Sequence, residues 1–406
     1  MKHVYLFNEG SIASAYGIGT YIHQVSSCLK NRPDIFINII QLHSDEKEFR
    51  KIESENICYY YFPHIQVSMK SVSNMFKYYR NCWYLLKEYI PDTQSDKLFF
   101  HFNYNDKYPL IELIKKHFST SSIFLTIHYQ EWCFKLKGNT SCFKRLIHTD
   151  KNMINNQKEK QIIKEYEEEL KLFQFVDHLI CLSGYTKKLL LNEYDIPRDK
   201  ITLIYNGLKD EAVILAENEK KQLKKKLFIQ EHTKIILFVG RLQEIKGIEF
   251  LIRAFKSVLQ QEPDAHLVIA GSGNFSAYLK EAKDCWHKIT FTGRMEKEDL
   301  YTYYQIADVG VLPSFHEQCS YAAMEMMMFG LPVIGTTSTG LCEMIREENR
   351  VEIIEDGNTV SISESRLAQI ICENLNNDKD TDSCRQTYLE KYSLEKMHEA
   401  LQEIYR

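Results

Sequence analysis

Two glutamates, Glu317 and Glu325, stand eight positions apart in the segment GVLPSFHEQCSYAAMEMMMFGLP, whose other residues are mostly apolar or small. A carboxylate held in apolar surroundings needs a polar partner, and the hydroxyls of a ligand can supply one. With a helix starting near Gln318, Glu325 lies about two turns beyond Glu317. Both then face the same side, Glu317 from the loop at the helix start and Glu325 from the first turns. Cys319, Ser320 and Tyr321 lie between them, where backbone amides open the helix. The alternative is a capping acid followed by a partly exposed helical glutamate. A cationic pair stands upstream in VGRLQEIKG, where Arg241 and Lys246 follow Gly240 at a strand-to-helix junction. Two cations beside a helix N-terminus make a diphosphate clamp. The order of a Walker A loop is missing. Two solvated surface cations are the alternative, and the place of Arg241 directly after a strand tip argues against it.

Weaker signals fall at other strand ends. IAGSGN carries Gly271 and Gly273, and FTGRM carries Gly293, Arg294 and Met295. Taken with VGRLQEIKG, these give glycine-bearing strand ends in three successive units, as a nucleotide cleft requires. In NEGSIASAYGIGTYI, Gly17 and Gly19 open a helix, a place where backbone amides approach an anion. Ile22 occupies the position of the third glycine of a dinucleotide fingerprint, so a plain glycine-rich turn is an equal reading. His128 directly follows the strand-like run IFLTI, which favours a ligand-facing role over a purely structural one.

The elements that must position these residues alternate in a regular way. Short apolar runs such as HVYLF, IFINIIQL, ICYYYF, KLFFHF, SIFLTI, DHLICL and ITLIY are interspersed with helical patterns; KIILFVG, AHLVIAG, ITFTG, DVGVLP and PVIGT repeat the scheme. In GIEFLIRAFKSVLQQEP the apolar residues Ile248, Leu251, Ala254, Phe255, Val258 and Leu259 share one helical face. Strands that are apolar throughout, alternating with helices, predict parallel sheets covered on both faces. Two such sets predict two doubly wound domains: 1–207, and 208–385 after the Asn-Gly turn of IYNGLKDEA, with 386–406 as a C-terminal helix packing back on the first domain. The segment near 130–172 reads as an elaboration of the first domain, either an acceptor-side flap or a solvated surface excursion.

The 406 residues exceed what one core usually supports. Charged residues make up 26%, and 51 Lys and Arg against 55 Asp and Glu give a net charge of −4, which argues against a nucleic-acid binder. The 11 cysteines form no CxxC pair and lie mostly in apolar runs, so neither zinc nor disulfides are expected. With no leader-like N-terminus and no long apolar run, a cytoplasmic location is expected. The aromatic stretch FKYYRNCWYLLKEY leaves peripheral membrane docking open, a core-facing helix with a tyrosine-rich rim being preferred. Asp378, Asp380 and Asp382 of DKDTD offer a D-x-D for a metal-dependent transferase of GT-A type, but they lie in a polar loop.

With the order VGRLQEIKG, VIAGSG, FTGRM and then E-x7-E on the page, the chain resembles the retaining glycosyltransferases of GT-B fold, the group 1 or family four set related to glycogen synthase. The resemblance covers nearly the whole chain and is strongest from about 235 to 345. It implies an α/β fold of two Rossmann-like domains facing a central cleft, and a metal-independent transfer without a cofactor. The donor would be a nucleotide-diphosphate sugar, UDP-sugar first, and the acceptor a hydroxyl on a glycan, a lipid-linked saccharide or a protein or peptide. Arg241 and Lys246 would bind the donor diphosphate, Glu317 the donor sugar, Glu325 the ribose, and His128 the donor sugar. Gly17 and Gly19 would lie near the diphosphate and acceptor. Ser320 stands where the family has glycine, and no aspartate follows His128. A sugar-nucleotide epimerase of this fold and a non-catalytic partner subunit remain as alternatives.

Overall fold

The computed structural model describes residues 1–10, 17–64, 72–91, 96–377 and 381–406. Asp378 and Asp380 of the D-x-D, and 11–16 of the first glycine loop, lie outside the described residues. The chain divides into two compact units, one of Met1–Gln130, Glu159–Gly207 and Leu394–Arg406, the other of Glu131–Lys158 and Leu208–Ser393.

The first unit is built on eight strands: β1 (Lys2–Glu9), β2 (Ile35–Ser44), β3 (Arg50–Ser54), β4 (Ile57–Pro63), β5 (Lys97–Phe102), β6 (Ser122–Ile127), β7 (His178–Cys181) and β8 (Ile201–Leu203). Their order is β3-β4-β2-β1-β5-β6-β7-β8, parallel except for β3 on β4. The central strands are buried on both faces, which explains their near-continuous apolar sequence. The helix Val72–Leu86 turns Tyr78, Tyr79, Cys82, Trp83 and Leu86 inward and leaves Phe76 and Tyr84 exposed. The C-terminal helix Leu394–Ile404 buries Met397 and Leu401 in this unit, whereas the preceding helix Thr381–Lys391 belongs to the second.

The second unit has a six-stranded parallel sheet of β9 (Lys234–Val239), β10 (Ala265–Ala270), β11 (Ile289–Gly293), β12 (Val309–Leu312), β13 (Val333–Thr336) and β14 (Arg350–Val351), in the order β11-β10-β9-β12-β13-β14. A hairpin, β15 (Ile353–Asp356) and β16 (Thr359–Ile362), follows. The helix Ile248–Gln261 buries Ile248, Leu251, Ile252, Ala254, Phe255 and Val258 against the sheet; this is the face read from the sequence, except that Ile252 joins it and Leu259 is only partly buried.

The excursion expected on the first unit divides. Its first part, 131–158, groups with the second unit. The Asn139 side chain donates to the carbonyls of Gly357 and Thr359 at 3.1 and 3.2 Å. The Glu355 carboxylate accepts from the amides of Thr140 and Ser141 at 2.8 and 3.1 Å, capping the helix Thr140–Ile147. Trp132 stacks on Phe143 at 4.2 Å and lies edge-on to His316. The second part, in the helix Gln157–Phe175, returns to the first unit and is not merely solvated. Its Glu169 is buried and bonded to Tyr194 at 2.6 Å and Asn105 at 3.2 Å. Among the described residues no helix is long and apolar enough to cross a membrane.

Candidate active site

In the second unit β9 lies between β10 and β12, so the chain's connections leave it in both directions. Such a switch point opens a crevice at the C-terminal strand ends, where ligands of open α/β sheets bind. After β9 come Gly240, the half-buried Arg241 and a tight turn, Glu244–Lys246. Gly247 then takes φ +67. A Cβ there would lie 2.1 Å from the Pro313 carbonyl oxygen, so only glycine lets this loop rest on the loop after β12. The Phe315 amide donates to the Ile245 carbonyl at 2.8 Å and fixes the contact.

This packing joins Lys246 to Glu317. The ammonium bonds Glu317 Oε1, and the Ser314 hydroxyl donates to the same oxygen at 3.1 Å. Both side chains are largely shielded, at 16% and 17% exposure. The Glu317 amide donates to Thr339 Oγ1 at 3.0 Å, and its carbonyl accepts from the Gly340 amide at 2.8 Å and from the Thr339 hydroxyl. Among the described residues Lys246 bonds Glu317 alone, which leaves two ammonium protons for an anion.

The glycines of neighbouring strand ends have a reason of their own. Gly240 donates to the Ala270 carbonyl at 3.0 Å, Leu242 to Ser272 at 2.9 Å and Gly271 to Gly293 at 2.8 Å, so the ladder continues past the strands. Gly271 has φ +153, and a Cβ on it would meet the Gly240 oxygen at 1.7 Å. Its immediate role is thus backbone packing. Arg294 is exposed and Met295 half-buried at the end of β11.

The helix after β12 starts at Tyr321 rather than near Gln318, because Ser320 is its N-cap and accepts from the Ala323 amide at 3.4 Å. The Ser320 amide, a candidate donor to a ligand, is turned to Met344 Sδ at 3.3 Å. Cys319 and Ser320 are buried and Tyr321 half-buried. Met324, Met326, Met327 and Met328 are buried, which accounts for the apolar run. Glu325 has a protein partner: the Tyr304 phenol donates to Oε2 at 2.7 Å. Burial pushes the Glu325 carboxyl above its ordinary range, against the pull of that hydrogen bond.

Gly17, Gly19 and His128 belong to the first unit. Gly17 begins the helix Gly17–Leu29, whose Tyr21 meets the His128 ring edge-on at 4.7 Å. His128 Nε2 contacts Asn103 Oδ1 at 3.1 Å, and Asn103 Nδ2 donates to the Phe7 carbonyl at 3.1 Å. That network assigns the proton to Nε2 and leaves Nδ1 as an acceptor. Behind it, Tyr21 and Thr126 are 3.0 Å apart, Thr126 and His101 2.6 Å, and His101 also bonds Tyr405.

Burial holds both His101 and His128 down to about 3. Unfolded, each takes up a proton near 6.5. Between those values the unfolded chain binds more protons, so stability will fall as pH falls, by about 1.4 kcal/mol per pH unit for each histidine. Urea midpoints at pH 7, 5.5 and 4.5 will show this, and His101→Gln will flatten the slope; an unchanged slope would refute the assignment.

Sequence reasoning missed a second ion pair. In the first unit the switch point lies between β1 and β5. Glu9, at the end of β1, bonds the fully buried Lys107, after β5, at 2.7 Å. Lys107 also bonds Asp106 and lies over the Tyr79 and Tyr104 rings. Each unit therefore ties its switch point with a lysine–glutamate bond. The only signal in the sequence was the position of Glu9 at a strand end.

Two family descriptions match the chain in succession: Glycosyltransferase Family 4 over residues 16–212 and Glycosyl transferases group 1 over residues 219–386. An uncharacterized glycosyltransferase of Methanocaldococcus jannaschii is 37% identical over 177 residues, 42% of this chain and 45% of that protein. The chain spans about half or less of the length of the curated relatives it matches. Among solved structures, sucrose-phosphate synthase from Thermosynechococcus elongatus superposes with a TM-score of 0.76 at 18% identity, covering 100% of this chain and 98% of the other. HepE from Anabaena, in complex with UDP and glucose, gives 0.70 at 13% identity, covering 99% and 98%. At such identities these likenesses speak for the fold.

Proposed function

Because the chain belongs to the group 1, family 4 glycosyltransferases of GT-B fold, we propose that it transfers a sugar from a nucleotide-diphosphate sugar to an acceptor hydroxyl, with retention at the anomeric carbon and without a metal. The observation that carries this reading is the Lys246–Glu317 pair at the switch point of the second unit. It sets a cation with spare protons beside a carboxylate with one oxygen, Oε2, free of protein hydrogen bonds among the described residues. Diphosphate and sugar hydroxyls need those two groups side by side.

In this scheme Arg241 and Lys246 take the diphosphate oxygens, and Glu317 Oε2 accepts from a hydroxyl of the donor sugar. Glu325 accepts from the ribose, and His128 Nδ1 accepts from a sugar hydroxyl. The bond from the anomeric carbon to the phosphate oxygen breaks as the bond to the acceptor oxygen forms on the same face. The acceptor proton passes to the leaving phosphate. Cations fixed where charge develops supply the main stabilisation, since they need no reorganisation during the reaction. A UDP-sugar is the first donor to test, HepE of the same fold having been crystallised with UDP and glucose. The acceptor is a hydroxyl of a glycan, a lipid-linked saccharide or a protein or peptide.

A thermal-shift screen of UDP-, GDP- and ADP-sugars tests the donor. At a hundred times its Kd a ligand adds about 2.7 kcal/mol, which raises the melting temperature of a unit this size by roughly 5–10 °C. A UDP-sugar should give that rise, and transfer should persist in EDTA. No rise with any nucleotide sugar, or activity lost in EDTA and restored by a divalent ion, would overturn the reading.

A further inference from the structure

We propose that Tyr304 is a positioning residue of the nucleotide site: its phenol fixes the Glu325 carboxylate so that one oxygen, Oε1, is presented to a ribose hydroxyl. The inference rests on the proposed contact of Glu325 with ribose and adds to it a residue from a different helix. Tyr304 lies on the helix Lys297–Ile306, directly before β12, and Glu325 on the helix Tyr321–Met328 directly after it. Tyr304 is 2% exposed, and its ring stacks on Phe329 at 5.6 Å with 22° between the planes. Phe329 is gripped from another side by Tyr301, edge-on at 4.8 Å. The phenol thus has a fixed direction, and it reaches Oε2 at 2.7 Å. The terminal torsion of a glutamate is otherwise broad. Among the described residues Oε1 takes no protein hydrogen bond. The pair therefore offers a ligand a single acceptor oxygen at a set orientation.

The phenol also bears on charge. A hydrogen bond donated to the ionised form favours it, whereas burial disfavours it. From the Tyr304 helix, Tyr301 and Lys297 also face this carboxylate. Glu211 approaches as well, bonded to Lys297 and to Tyr301 at 3.3 Å. From the helix Thr381–Lys391, Arg385 is tied to Asp210 at 2.6 Å and to the Met328 carbonyl, and Tyr388 donates to the Leu208 carbonyl at 2.8 Å. Lys297 supports the charge of Glu325 and Glu211 opposes it, so the direct bond from Tyr304 is the largest favourable contribution. A hydrogen bond that merely joined two helices would affect melting but not the pH dependence of nucleotide binding.

The test is calorimetric titration of UDP between pH 5 and 8 into the wild-type chain, Tyr304→Phe and Glu325→Gln, with 2′-deoxy-UDP as a second probe and donor KM and kcat alongside. Removing the hydroxyl raises the Glu325 carboxyl further, so the loss of binding on acidification starts at higher pH. Tyr304→Phe should move that acid limb to higher pH and weaken UDP by up to about tenfold on its acid side. The loss should be larger in KM than in kcat, and smaller for 2′-deoxy-UDP if the 2′-hydroxyl is the one bound. Glu325→Gln should weaken UDP at least as much and abolish the limb. Wild-type binding by Tyr304→Phe at every pH, beside a weakened Glu325→Gln, would overturn the role of Tyr304 while leaving the nucleotide site standing. Wild-type binding by Glu325→Gln would instead overturn the ribose contact itself. Should Tyr304→Phe fail to fold, Phe329→Leu keeps the hydroxyl but loosens its ring. It should weaken UDP about threefold, and unchanged affinity would count against the proposal.

Discussion

Replacing Lys246 by alanine will lower turnover by about two to three orders of magnitude, the scale of losing one fixed charge from a leaving-group site. The protein should still fold. The side chain is partly exposed and its one bond among the described residues is to Glu317. Among the described residues the substitution leaves that carboxylate with only the Ser314 hydroxyl, at a cost of about 1–3 kcal/mol of stability. The two effects can be separated. Adding Glu317→Gln removes the stranded charge, so the double variant should recover most of the melting temperature of the wild type and none of its turnover. Lys246→Arg should restore part of the rate, since charge is kept while the compact ammonium geometry is lost. Steady-state kinetics beside thermal melts give both readings. A single variant with turnover within threefold of wild type would remove Lys246 from the mechanism.

The second large effect is on stability. Gly271→Ala places a methyl 1.7 Å from the Gly240 oxygen and 2.8 Å from its carbonyl carbon. Both neighbours are backbone, so no side chain can swing aside. The turns after β9 and β10 must separate, and the Gly240–Ala270 and Leu242–Ser272 bonds stretch with them. The expected loss is at least about 3 kcal/mol, in the class of strained or overpacked backbone substitutions. Gly293→Ala is the control. Gly293 has φ +74 with nothing within 4 Å of a Cβ, so its cost should be about 1 kcal/mol from conformation alone. Urea midpoints at a constant slope distinguish the two. Equal losses would mean that the close approach is unimportant.

Much of this architecture was legible because a parallel sheet covered on both faces writes its strands as unbroken apolar runs. IFINIIQL and KIILFVG needed no other signal. β3 was invisible for the converse reason: Arg50–Ser54 is exposed at every residue and leaves no pattern. Within the site, residue types and strand-end positions singled out Lys246 and Glu317. That they bond each other depends on β9 and β12 being neighbours, a fact of topology. Tyr304 was hidden in LYTYYQ, where any of three tyrosines could have faced the core. Lys107 sits in the polar stretch NYNDKYP, which looks like an exposed turn, yet the lysine is buried because Glu9 and two aromatic rings receive it. Nor could the side taken by 131–158 be read from its own composition, since it is decided by Asn139 and the distant Glu355.

That last placement bears on how such a protein can be recombined. The chain passes from one unit to the other at 130/131, 158/159, 207/208 and 393/394. A single crossover at 207, the natural splice for a chimaera, would graft a second unit whose Glu355 must cap a helix inherited from the other parent. The carbonyls of Gly357 and Thr359 would likewise await a foreign residue at position 139. Exchange of the second unit as an intact cassette therefore requires that 131–158 travel with 208–393, two separate pieces of gene moved as one.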